Sequence, residues 1–191
     1  MSTIVCGDLH GRWGRLNELL NKKPSVSTIL QCGDFGYWPK SDGEVEKTIK
    51  TVWRQCGIRN HGVKIYFCDG NHEDHSELAK FSQPAEICRD VFFMPRGSVL
   101  KLKDRRILFI GGGESFDKKY RTPGKDWFPE ESISQRDICN LPDVPVDIVI
   151  SHVAPEEFEL RSGSLHLDFP EPSRKALSAV LTKYRPLRWF F

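Results

Sequence analysis

Three times in its first 73 residues the chain runs a short apolar segment straight into a glycine-led polar tip: Gly7-Asp8-Leu9-His10-Gly11, Gly33-Asp34-Phe35-Gly36 and Gly70-Asn71-His72-Glu73. The preceding runs, Thr3-Ile4-Val5-Cys6, Thr28-Ile29-Leu30-Gln31-Cys32 and Val63-Lys64-Ile65-Tyr66-Phe67-Cys68, have the length and β-branched or aromatic content of strands. Open α/β sheets gather polar loops past the carboxyl ends of their strands, so all three tips are placed to meet. After the first tip, Trp13, Leu16, Leu19 and Leu20 recur at helical spacing until Pro24. After the second, Val45, Ile49, Val52, Trp53 and Cys56 mark a helix face, and residues 73–81 suit a third helix. Such alternation predicts a mostly parallel sheet flanked by helices.

Past Pro84 the pattern changes. Val91-Phe92-Phe93-Met94, Val99-Leu100-Lys101-Leu102 and Arg106-Ile107-Leu108-Phe109-Ile110 read as antiparallel strands of a second sheet, with Lys103-Asp104-Arg105 turning between the last two. Asp147-Ile148-Val149-Ile150-Ser151 adds a strand, Ala176, Leu177, Val180, Leu181 and Tyr184 line a last helix, and Arg188-Trp189-Phe190-Phe191 reads as a final strand. A chain of 191 residues with 39% hydrophobic content supports one substantial core, so a single domain over residues 1–191 is expected.

Charge excludes little but decides one point. With 28 basic and 26 acidic residues the net charge is +2, which gives no electrostatic indication of a nucleic-acid partner. No stretch has the apolar length of a membrane span, and the N-terminus enters a strand without the features of a leader; a cytoplasmic location and no membrane partner are expected. Of the six cysteines, Cys6, Cys32 and Cys68 each end an apolar run and are expected as buried thiols. None of the six forms a C-x-x-C pair from which a thiolate zinc site starts.

The tips offer carboxylate, imidazole and carboxamide groups in a fixed order, the outline of a metal site. Singly, each group has a bland reading: Asp8 as a cap for the helix near Trp13, Asp34 as a turn residue, His10, His72 or His152 as surface or satisfied core histidines. Independent turns have no reason to produce the whole set in sequence. Asp-x-His, then Gly-Asp, then Gly-Asn-His-Glu, then an isolated His152 resembles the calcineurin-like metallophosphoesterases. The resemblance implies a two-sheet α/β/β/α sandwich and metal-dependent hydrolysis of phosphate mono- or diesters at a dinuclear centre. It implies that Asp8 and His10 hold one metal, that Asp34 bridges, that Asn71 and His152 hold the second, and that His72 acts on the substrate. Oxygen and imidazole ligation suits Mn first, then Fe, Zn, Co or Ni. Two divalent ions against two carboxylates leave a positive surplus for phosphate, which an aspartate at position 71 would reduce.

The family's closing Gly-His-x-His motif does not occur; it is expected just after Phe191, so a truncated domain is anticipated. Expected substrates are a phosphorylated small molecule, a nucleotide or a phosphoprotein. The rival expectations are a catalytically impaired scaffold working through a protein partner, and a nuclease. Lys118, Lys119 and Arg121, interleaved with Phe116, Tyr120, Trp127 and Phe128, are candidates for substrate contact. Gly111-Gly112-Gly113 lacks the spacing of a dinucleotide loop and reads as a turn, while His61, His75 and His166 are expected to have no role in the site.

Overall fold

The computed structural model describes residues 2–38, 62–160 and 171–191. Two sheets form its centre. The first has the strand order β1 (Ser2–Cys6), β2 (Val26–Gln31), β3 (Lys64–Phe67), β5 (Val91–Phe93), β4 (Ala85–Cys88), parallel throughout except for β4. The second has the order β6 (Ser98–Leu102), β7 (Arg105–Ile110), β8 (Ile148–Ser151), β9 (Arg188–Phe190), with β6 and β7 antiparallel and β7, β8 and β9 parallel.

Side chains alternate across each sheet, so the period of two sorts them into layers. Ile4, Ile29, Ile65 and Val91 are register neighbours on the outer face of the first sheet, where Leu16 and Leu20 of α1 (Gly14–Lys22) cover them. One residue on, Val5, Leu30, Tyr66 and Phe92 face inward and pack against Leu100, Leu102, Ile107, Phe109, Ile148, Ile150 and Phe190 of the second sheet. The outer face of the second sheet, with Leu108, Ile110 and Val149, is covered by Leu177 and Val180 of α4 (Pro172–Tyr184) and by Ile138 of α3 (Gln135–Cys139). The result is an α/β/β/α sandwich. Among the described residues, no helix is long and apolar enough to cross a membrane.

Three expectations change. Val91–Phe93 belongs to the first sheet, because Asp90 adopts a left-handed φ of 64° and hairpins it back onto Ala85–Cys88, a short strand hidden behind Pro84. The helix expected over residues 73–81 shrinks to α2 (His75–Leu78), since the Glu73 carboxylate is engaged outside it and Asp74 caps it by accepting from Glu77 N–H. The β6–β7 turn narrows to Lys103-Asp104, with Lys103 at φ 54°. The helix face marked by Val45, Ile49, Val52, Trp53 and Cys56 lies outside the described residues, as do His61 and His166.

Candidate metal centre

Because β1, β2 and β3 are parallel, their tips emerge at one edge of the first sheet, and the tip of β8 meets them there from the second. The backbone stitches the tips together. Leu9 and His10 donate to the Asp34 carbonyl at 3.0 and 2.8 Å, and Gly11 donates to the Phe35 carbonyl at 3.1 Å. Within the first tip, Leu9 is buried in the core while Asp8 and His10 turn outward, with side chains about half exposed. Asp8 does not cap α1, whose N-cap position is Trp13 without a side-chain capping bond.

The second tip is held from below. Phe35 is fully buried and stacks on Phe67 with centroids 4.4 Å apart, while its carbonyl accepts from Trp13 Nε1 at 3.0 Å. Fixing Phe35 fixes Asp34, whose side chain is only 3% exposed. His10 and Asp34 both have positive φ, 45° and 54°, which non-glycine residues seldom adopt and which strained functional loops collect. Close approach explains Gly70: a Cβ there would overlap Asp34 Oδ1.

Asp8, His10 and Asp34 present ligand atoms all within 4.8 Å of one another. Asp34 Oδ2 lies 3.5 Å from His10 Nε2, and its other oxygen, Oδ1, lies 3.7 Å from His152 Nε2. His152 Nε2 is also 2.9 Å from Asn71 Oδ1, and its Nδ1 is 3.0 Å from the Cys32 carbonyl. A neutral imidazole has one N–H. If that proton is on Nδ1 and donates to Cys32, the Nε2 lone pair faces the lone pairs of Asn71 Oδ1 and of Asp34 Oδ1, and a cation shared among them satisfies all three. The residues present therefore fit a metal.

Near this set, His72 donates its backbone N–H to Asp34 Oδ1 at 2.7 Å and turns its ring toward His10, centroids 5.1 Å apart. Burial lowers the His72 pKa; Asp34 opposes that shift, and Arg121 and His10 reinforce it. Arg121 Nη2 stands 2.7 Å from the His72 ring nitrogens, its Nε pairs with Asp117 at 2.9 Å, and its Nη1 donates to the Asp126 carbonyl at 3.1 Å. Lys118 and Lys119 are placed differently: Lys118 pairs with Glu114 at 3.6 Å and Lys119 lies over the Tyr120 ring. His75 is buried and bonds the Gly70 carbonyl through Nε2 at 3.0 Å, a satisfied core histidine.

Two supports were not legible as such. Gln31, fully buried, holds the first two tips in one frame: its amide donates to the Gly7 carbonyl at 3.2 Å and to the Gly33 carbonyl, and its oxygen accepts from Gly33 N–H. Glu73, also fully buried, accepts from Phe35 and Tyr37 N–H, each at 2.6 Å, and from Gly36 N–H. Burial drives the Glu73 pKa well above the carboxylate range, Asp34 adds to the rise, and the three backbone bonds oppose it. Its place in the third tip is the only sequence signal for this role. Glu73→Ala strands the buried Phe35 and Gly36 N–H groups at about 1–3 kcal/mol each, so unfolding in urea should show a loss on the order of 3 kcal/mol, and Glu73→Gln, which keeps an acceptor, should lose less.

A model of the family described as calcineurin-like phosphoesterase matches residues 1–186. The chain belongs to the calcineurin-like phosphoesterase family. Among curated proteins, none matches it. Membership accounts for the ordered tips as parts of a phosphoesterase fold, and supports phosphoester hydrolysis and divalent-metal binding in general terms. In this calcineurin-like phosphoesterase, the half-exposed side chains of Asp8 and His10 lie on the open side of the cluster, with those of Asp34 and His152 behind them at 3% and 9% exposure.

Proposed function

We propose that this chain hydrolyses phosphate esters at a dinuclear centre held by Asp8, His10, Asp34, Asn71 and His152. One observation carries the reading: the two oxygens of Asp34 divide between two clusters, Oδ2 toward His10 and Oδ1 toward His152 and Asn71. A bridging carboxylate needs that division. Two divalent cations held there, Mn first among the transition metals and Fe, Zn, Co or Ni as alternatives, would supply charge neutralisation at the phosphoryl oxygens and an activated water.

The chain's own groups orient and discriminate. Arg121 Nη2 stands 2.7 Å from both nitrogens of the His72 ring, so guanidinium and imidazole form one unit beside the cluster, and the His72 ring is the group offered for proton transfer to a phosphoryl or leaving-group oxygen. The Arg121 guanidinium is held by Asp117 and the Asp126 carbonyl before any substrate arrives, so little ordering cost attaches to gripping a phosphate. Lys118 and Lys119 extend positive charge along the same segment. Replacing Lys118, Lys119 and Arg121 together should raise KM for phosphate esters more than it lowers kcat; Arg121→Ala alone should account for most of the change, and Arg121→Lys should restore little of it because lysine lacks the planar fork. An unchanged KM in steady-state assays returns the segment to a surface role.

The strand β9 runs parallel to β8, with Phe190 in register with Ile150, so its carboxyl end lies on the His152 edge. Substrates of the proposed class are phosphorylated small molecules, nucleotides and phosphoproteins. A cytoplasmic setting belongs to the same proposal, because Cys6 and Cys32, held as thiols with pKa values pushed to about 12 by burial, and the buried Cys68 thiol suit a reducing compartment. The test is hydrolysis of generic aryl phosphate mono- and diesters by the purified chain, with Mn²⁺ and after chelation. Metal-dependent release of the aryl alcohol supports the reading, and the absence of any metal-dependent turnover on either ester class contradicts it.

A further inference from the structure

Behind Asn71, away from the proposed metals, stands a short polar chain in which every group has a partner. Asn71 Nδ2 donates to Ser115 Oγ at 2.9 Å, and Ser115 Oγ donates to Glu131 Oε2 at 2.9 Å. The other Glu131 oxygen accepts from the Ser115 N–H and from Trp127 Nε1, each at 2.8 Å. Ser115 and Glu131 are both 0% exposed, so water does not compete for these bonds. The two residues come from the connection between β7 and α3, a part of the chain that carries none of the tip motifs.

Direction along this chain follows from its far end. A carboxylate only accepts, so Ser115 must spend its single hydroxyl proton on Glu131. Ser115 Oγ then has only lone pairs to offer Asn71, and only the amide Nδ2 can face it. The carboxamide is thereby held with Oδ1 toward His152 Nε2, 2.9 Å away, and toward the Asp34 side of the site. Turned by 180°, the same side chain would present an NH₂ group to a cation. An asparagine, unlike an aspartate, must be told which way to point.

We propose that Ser115 and Glu131 are positioning residues that fix the orientation of the Asn71 carboxamide and so make asparagine a competent ligand of the second metal. The inference rests on the dinuclear reading above. Supporting groups behind metal ligands are worth about 10–100-fold in metal affinity, and the loss here should fall on one of the two sites, leaving the Asp8 and His10 side unchanged. Glu131→Gln keeps the volume but places an NH₂ group against Ser115 Oγ; the hydroxyl proton is released toward Asn71, and the preferred orientation weakens or reverses.

The experiment is calorimetric titration with Mn²⁺ of the wild-type chain, Ser115→Ala, Glu131→Gln, Asn71→Asp and the Asn71→Asp/Ser115→Ala double variant. With asparagine at position 71, Ser115→Ala is expected to weaken one site about 10–100-fold, with Glu131→Gln changing the same site in the same direction. With aspartate at 71, whose two oxygens are equivalent, Ser115→Ala should cost little. A purely structural contribution would cost the same in both backgrounds, and that result overturns the proposal, as does unchanged affinity in both Ser115→Ala and Glu131→Gln. Should the wild-type chain fail to bind two Mn²⁺, the dinuclear reading fails first and takes this inference with it; two sites in the wild type with no change in the variants removes this inference alone.

Discussion

Asp34→Asn is expected to strip the protein of most bound Mn²⁺ and to remove phosphate-ester hydrolysis with it. The variant keeps the shape of the side chain and an oxygen able to accept from His72 N–H, so the fold has no reason to fail. On the proposed dinuclear reading it loses the negative charge that two cations would share, and an amide cannot offer an anionic oxygen to each cluster. Removing groups that merely support metal ligands costs about 10–100-fold in metal affinity, and removal of the shared ligand should exceed that at both sites. Elemental analysis after dialysis against Mn²⁺, paired with turnover, measures both losses; a variant with unchanged metal content and unchanged rate would remove the bridging role.

His72→Ala is expected to do something different: kcat falls by about 10²–10⁴-fold, the usual worth of a positioned proton donor, while metal content stays near that of the wild-type chain. The separation follows from geometry. His72 touches the cluster through its backbone N–H to Asp34, which alanine retains, while its ring leans on Arg121 and toward His10. A loss of metal as severe as in Asp34→Asn would show that the ring is itself a ligand. Arg121 gives an internal check, since its removal should act on KM while removal of His72 acts on kcat.

The parts of this molecule that could be read from its sequence are those governed by local period. The alternation through Ile4 and Val5, Ile29 and Leu30, Ile65 and Tyr66 announces strands with two apolar faces, and a sheet buried on both sides follows. The tips were legible because glycine, carboxylate and imidazole recur just past those strands, where parallel topology must bring them together. Val91–Phe93 departs from the expected second sheet because strand pattern carries no information on partner choice; pairing with β3 is decided by the Asp90 hairpin and by the burial of Val91 and Phe93 under the same outer layer as Ile65 and Phe67. The supports were hidden for a related reason. Gln31 looks like an ordinary strand residue, Glu73 like a helix start, and Ser115 and Glu131 like loop polarity, since each acts on a partner between 2 and 44 positions away through bonds that only the folded chain creates.

The central claim is that two metals, divided between the two oxygens of Asp34, act together on a phosphate ester. Its most direct measurement is a Mn²⁺ titration of the chelated protein in which metal bound per chain and hydrolysis of an aryl phosphate ester are followed in the same samples. The account predicts two equivalents at saturation, with turnover tracking occupancy of the second. Full activity at one equivalent, or two equivalents bound with no turnover of either mono- or diesters, would contradict it.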